Sequence, residues 1–150
     1  MILLVHLLFG AAIGAAVKNI PLAIILAFLS HYLLDSIPHV DGYPVKITQT
    51  RQWYKMLVNI LAVTLDFCLG ILLILIFSKN QPIIYICALL AVVPDGFYVL
   101  NDLIPNKFLK NHDLLHEKIH FLQDKKISKF WRITNQVVVV VISIILLHYS

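Results

Sequence analysis

The sequence predicts an all-α protein: an integral membrane bundle of about five transmembrane helices plus an amphipathic, interfacial segment. Two observations predict it. Of 150 residues, 60% are hydrophobic and 13% charged, a balance foreign to soluble domains. The charges are also concentrated between long apolar runs, which is the pattern of membrane spans. No repeat, low-complexity tract or linker divides the chain, so residues 1–150 read as one membrane domain.

The first helix is expected over about 1–17. It has no Lys or Arg before its apolar stretch and a second run follows at once, so it reads as a helix rather than a signal peptide. Gly10 and Gly14 form a G-x-x-x-G, a pattern that permits close helix packing. The second helix is expected over about 20–37, with Pro21 in its first turn and Pro38 ending it. A polar loop follows, and Trp53 and Tyr54 suit the aromatic belt where a third helix, about 56–77, enters the membrane.

The fourth helix is expected over about 82–104. Pro94 lies within it and should kink or open the backbone beside Asp95. Residues 106–134 read as a His-rich interfacial segment, with Phe108, Leu115, Ile119, Leu122, Phe130 and Trp131 as its apolar surface. The last helix is expected over about 136–149, rich in Val and Ile, as lipid-facing scaffold. Cys68 and Cys87 lack metal-type spacing and read as small buried thiols.

Five crossings place the N-terminus and the loops after Pro38 and Ile104 on one side. That side collects Lys46, Arg51, Lys55, Lys107, Lys110, Lys118, Lys125, Lys126, Lys129 and Arg132, against Lys18 and Lys79 opposite. The positive-inside rule makes the rich side cytoplasmic, giving a multi-pass cell-membrane protein with a cytoplasmic N-terminus. The net charge of +4 therefore points to anionic lipid head groups, not nucleic acid.

The ionisable residues within the apolar runs are the candidate site, because a charge inside a membrane helix is costly without a partner. His31 and Asp35, four apart, share one helix face. His6, His31, Asp35 and Asp95 all fall on the cytoplasmic side of this topology, as do His112, His116 and His120, spaced by four. These seven residues are the expected metal ligands. Imidazole with carboxylate suits a divalent metal, zinc first, with manganese or iron where oxygen donors dominate. Several carboxylates can hold two ions, as in many phosphoester hydrolases. Glu117 or Asp66 is the expected general base or orienting group, while Asp66 also has a packing reading, against Asn59 or a neighbouring helix. His39 reads as solvated.

A rival reading starts from His116-Glu117-Lys118-Ile119-His120, which matches H-E-x-x-H and suggests a zinc membrane peptidase with Glu117 as base. A third is a non-enzymatic metal-binding or transport protein.

Val5-His6-Leu7-Leu8-Phe9, the stretch from Leu29-Ser30-His31 through Asp35-Ser36-Ile37-Pro38, and Pro94-Asp95 are similar to motifs of the membrane-bound metal-dependent hydrolases of the YdjM type. His112, His116 and His120 stand where that family has a histidine pair. The chain departs from the family at Gly96-Phe97-Tyr98, where a further acid and histidine would be expected, and lacks its His-Arg-Gly-x-Thr-His signature. The resemblance implies metal-dependent hydrolysis, with membrane lipids or their phosphoesters as substrates.

Overall fold

A computed structural model describes residues 1–40, 53–104, 106–119 and 127–150, apart from the Lys55 side chain. It is all-helical among the described residues, with six helices: α1 (Leu3–Ala16), α2 (Ile20–Asp35), α3 (Trp53–Phe77), α4 (Pro82–Leu103), α5 (Lys107–Ile119) and α6 (Lys129–Tyr149). Three segments are long and apolar enough to cross a membrane: Met56–Phe77, Pro82–Leu103 and Lys129–Tyr149. At 1.5 Å per residue, their 21 or 22 residues span about 32–33 Å, matching a hydrocarbon core of about 30 Å.

The five expected crossings are thus met in full length by three. α1, with 14 residues, and α2, with 16, reach only about 21 and 24 Å. The Lys129–Tyr149 helix also begins earlier than the sequence pattern indicates, absorbing the end of the expected interfacial segment. α4 remains helical through Pro94 from Pro82 to Leu103, so the expected opening of the backbone there is not seen as a break in the helix.

α1 is the centre of the bundle and packs against α2, α3, α4 and α6. Val5, Leu7, Leu8, Ala11 and Ala12 are completely buried. A helix apolar on every side belongs inside a protein or a membrane, and α1 lies inside the protein. Glycine permits its closest contact. A Cβ at Gly10 would stand 2.5 Å from Ala91 Cβ and 2.6 Å from the Cys87 carbonyl oxygen, and one at Gly14 would stand 2.9 Å from the Ile83 carbonyl oxygen. The G-x-x-x-G therefore lays α1 directly on the α4 backbone. α3, by contrast, turns Leu57, Leu61, Leu65, Leu69, Leu72 and Ile76 outward. Cys87 is buried as expected, but Cys68 faces outward with that α3 surface.

Local signals explain several helix ends. Asn19 caps α2 through its side chain, which accepts from the Leu22 amide at 3.1 Å, with proline in the first turn. Asn80 supplies the positive φ of the short α3–α4 connection. α1 has no side-chain cap of its own. Asp66, in the middle of α3, supplies one, its Oδ2 accepting from the Leu4 amide at 3.0 Å.

Candidate metal centre

The site lies where the start of α1, the end of α2, the C-terminal half of α4 and the inner face of α5 meet. α2 contributes His31 and Asp35, 0% and 1% exposed. Both fall on the same α2 stripe as Ala23, Ala27 and Ser30, which carries them inward. α4 contributes Asp95, one third exposed. α5 contributes His116. Leu109, His112, Asp113 and His116 recur at three- and four-residue steps, so one face of α5 turns inward, while Phe108, Leu114 and Leu115 face outward. Asn101 Nδ2 donates to Asp113 Oδ2 at 2.6 Å and ties that face to α4.

One ligand atom from each of His31, Asp35, Asp95 and His116 lies within 4.8 Å of the others, so the group can hold a metal ion. Asp35 Oδ2 is 3.0 Å from His31 Nε2 and 3.1 Å from His116 Nε2, and the two imidazole nitrogens are 3.0 Å apart. Asp95 Oδ1 stands 3.6 Å from His31 Nε2 and 3.8 Å from His116 Nε2. Donors at about 2.0–2.2 Å from a tetrahedral ion are separated by about 3.3–3.6 Å, so these spacings fit one shared ion.

The proton inventory strengthens the fit. His31 Nδ1 donates to the Ala91 carbonyl at 2.9 Å, so in the neutral ring Nε2 presents a lone pair to the cluster. A carboxylate oxygen and a second imidazole nitrogen share that space. One proton on His116 Nε2 can serve either Asp35 or His31, not both, whereas a cation satisfies every lone pair at once. A ligand histidine held from behind by a backbone carbonyl is the usual arrangement in metal sites.

The other expected residues are distributed around this group. His6 is fully buried, with its ring stacked on His31 at 4.3 Å and its Nε2 3.2 Å from Asp35 Oδ1. His112 adjoins the group, its Nε2 hydrogen-bonded to the Tyr32 hydroxyl at 2.9 Å and its ring 6.0 Å from His116. Burial, reinforced by neighbouring His116, holds the His112 pKa below the usual histidine value against the pull of Asp113. Asp66 caps α1, in keeping with its packing reading, and lies outside the four-residue group. Glu117 is exposed on α5. His120 falls outside the described residues, as do Lys46, Arg51, Lys125 and Lys126.

Three features were not anticipated. His39 is fully buried rather than solvated, with its Nε2 3.8 Å from Asp35 Oδ1 and its Nδ1 donating to the Ile37 carbonyl at 2.7 Å. Its spacing of four from Asp35 was the available signal, hidden by the intervening Pro38. α6, expected as lipid-facing scaffold, also contacts the chain beyond α2. Arg132, Asn135 and Gln136 donate to the carbonyls of His39, Pro38 and Val40 and clamp the chain leaving α2. The Met1 ammonium contacts Asp35 Oδ1 at 3.0 Å.

The fold and site together define a helical protein with membrane-length helices and a buried His/Asp group able to bind a metal. No family model, curated protein or solved structure matches the chain.

Proposed function

We propose that the protein is a membrane-embedded, metal-dependent hydrolase acting at the cytoplasmic membrane face on a lipid or phosphoester substrate. The observation that carries this reading is the convergence of His31, Asp35 and His116, with Asp95 partly exposed beside them. Three sheltered donors would hold an ion, and the fourth, one third exposed, would leave it accessible to a substrate. The YdjM-type resemblance at His6, His31, Asp35 and Asp95 supports the same reaction class.

Zinc is the first choice of metal for a mixed imidazole–carboxylate set, with manganese or iron as alternatives. A bound divalent ion supplies Lewis-acid polarisation and makes water an effective nucleophile near neutral pH. The chain's own residues do the rest. Asp35 and Asp95 supply negative charge. The Ala91 carbonyl fixes the His31 ring. The Tyr32 hydroxyl, hydrogen-bonded to His112, would donate to a substrate oxygen when His112 Nε2 carries the ring proton, and the Ala91 carbonyl would keep His31 Nε2 free for the metal. Lys107, Lys110 and Lys118 are exposed on α5 and suit an anionic head group.

In this reading α1 and α2 cross the membrane as well. Their shortness would be accommodated because the Asp35 end of α2 is packed among His6, His31, His39 and His116 rather than set in hydrocarbon. The exposed position of Glu117 gives the peptidase reading no comparable support.

Elemental mass spectrometry of the detergent-purified protein, alongside His31→Ala and Asp95→Ala, is the test. Bound zinc, manganese or iron, lost in both variants while helicity and monodispersity persist, is the expected result, followed by ester or phosphoester hydrolysis that depends on the same residues. No metal after reconstitution overturns the proposal. A stoichiometric metal with no turnover of any lipid or phosphoester favours the transport or storage class instead.

A further inference from the structure

The Asp35 carboxylate is used on both sides. Oδ2 faces His31 and His116, the pair already described. Oδ1 faces a second pair, His6 Nε2 at 3.2 Å and His39 Nε2 at 3.8 Å. We propose that Asp35 bridges two divalent cations, the second held by Oδ1, His6 and His39. This deepens the metal-centre reading above and rests on it.

His6 carries the argument. Its side chain is completely buried, and neither ring nitrogen makes a hydrogen bond among the described residues, although Nε2 lies 3.2 Å from Oδ1. A buried imidazole without hydrogen bonds loses its hydration with nothing in return, which native interiors rarely tolerate. The position is not a packing accident either, since the ring is stacked on His31 and its Nε2 lies within 3.2 Å of the carboxylate. A cation at Oδ1 would give that nitrogen a coordination bond where no well-formed hydrogen bond exists.

His39 repeats the design of His31. Each ring donates its Nδ1 proton to a backbone carbonyl, Ile37 for His39 and Ala91 for His31, and each turns Nε2 toward an oxygen of Asp35. That outer hydrogen bond selects the tautomer a metal ligand needs. The clamp from Arg132, Asn135 and Gln136 onto residues 38–40 holds His39 in place beyond the end of α2, where no helix could do so. The Met1 ammonium shares Oδ1 and is the competitor for this half of the carboxylate.

The test is to strip the full-length protein with chelator, reload it with Mn2+, count ions per chain and record its electron paramagnetic resonance spectrum. Two ions with an exchange-coupled spectrum are expected in the parent protein. His6→Ala and, separately, His39→Ala should each retain one ion with an uncoupled spectrum, and Asp35→Asn should lose both. Using two variants from different elements separates ion loss from a folding defect in either one, and circular dichroism checks each fold. One uncoupled ion in the parent, unchanged by His6→Ala and His39→Ala, overturns the second site and leaves the first intact. No ion in any preparation overturns the first site as well.

Discussion

Asp35 and Asp66 are both carboxylates set in apolar helices, and the structure uses them in opposite ways. Asp66 accepts one backbone amide, that of Leu4, and completes the N-terminus of a neighbouring helix. Asp35 is approached by four imidazoles and the Met1 ammonium, none closer than 3.0 Å. A single hydrogen bond to a helix end is a structural solution to burying a charge. Five convergent nitrogens exceed what one carboxylate needs for its own solvation. Partner chemistry, not burial alone, separates a site from a brace.

The largest effect should come from Asp35. Asp35→Asn removes the anion shared by every imidazole in the cluster. Metal affinity should fall by more than the roughly 10–100-fold typical of losing an outer-shell partner, as measured by competition with a chromophoric chelator. Retention of parental affinity would erase the distinction between the two aspartates.

Next is the scaffold beneath the site. Gly10→Val places side-chain atoms against Ala91 and the Cys87 carbonyl, where there is no room for even a Cβ. Overpacking of this kind costs about 1–3 kcal/mol. Thermal unfolding in detergent should show the loss, and α1 should separate from the helix that carries Asp95.

Asp66→Ala should cost about 0.5–2 kcal/mol, the range for a lost helix cap, while bound metal stays at the parental level. Equal loss of metal in this variant would bring Asp66 into the functional site after all. The smallest effect is expected from Tyr32→Phe, which removes the hydrogen bond to His112, worth about 0.5–1.5 kcal/mol. Its stability and metal content should change little. A hydrolysis rate reduced well beyond that stability change would place the hydroxyl at the substrate.

The apolar runs, the prolines at Pro21 and Pro38 and the polar loops made most helices legible in the sequence, because helix formation and membrane length are local properties. His31 and Asp35 were legible for the same reason, since a spacing of four places two side chains on one face. Their partners were legible only as residue types in costly places. Asp35 and Asp95 stood apart from Asp66 by their side of the expected topology. Whether Asp66 is a base or a packing group was not legible, because its partner, the Leu4 amide, lies on another helix.

The sequence by itself determined an all-helical, membrane-suited chain whose unusual residues are histidines and aspartates. Only the tertiary structure decided that the shortest apolar helix, α1, is the buried centre, because apolarity does not distinguish a lipid neighbour from a protein neighbour. It also decided that His39 joins Asp35 past a proline and that His116 reaches His31 across 85 residues. Those meetings depend on how helices pack, through contacts such as Gly10 on α4 and Asn101 on Asp113, and no local spacing encodes them.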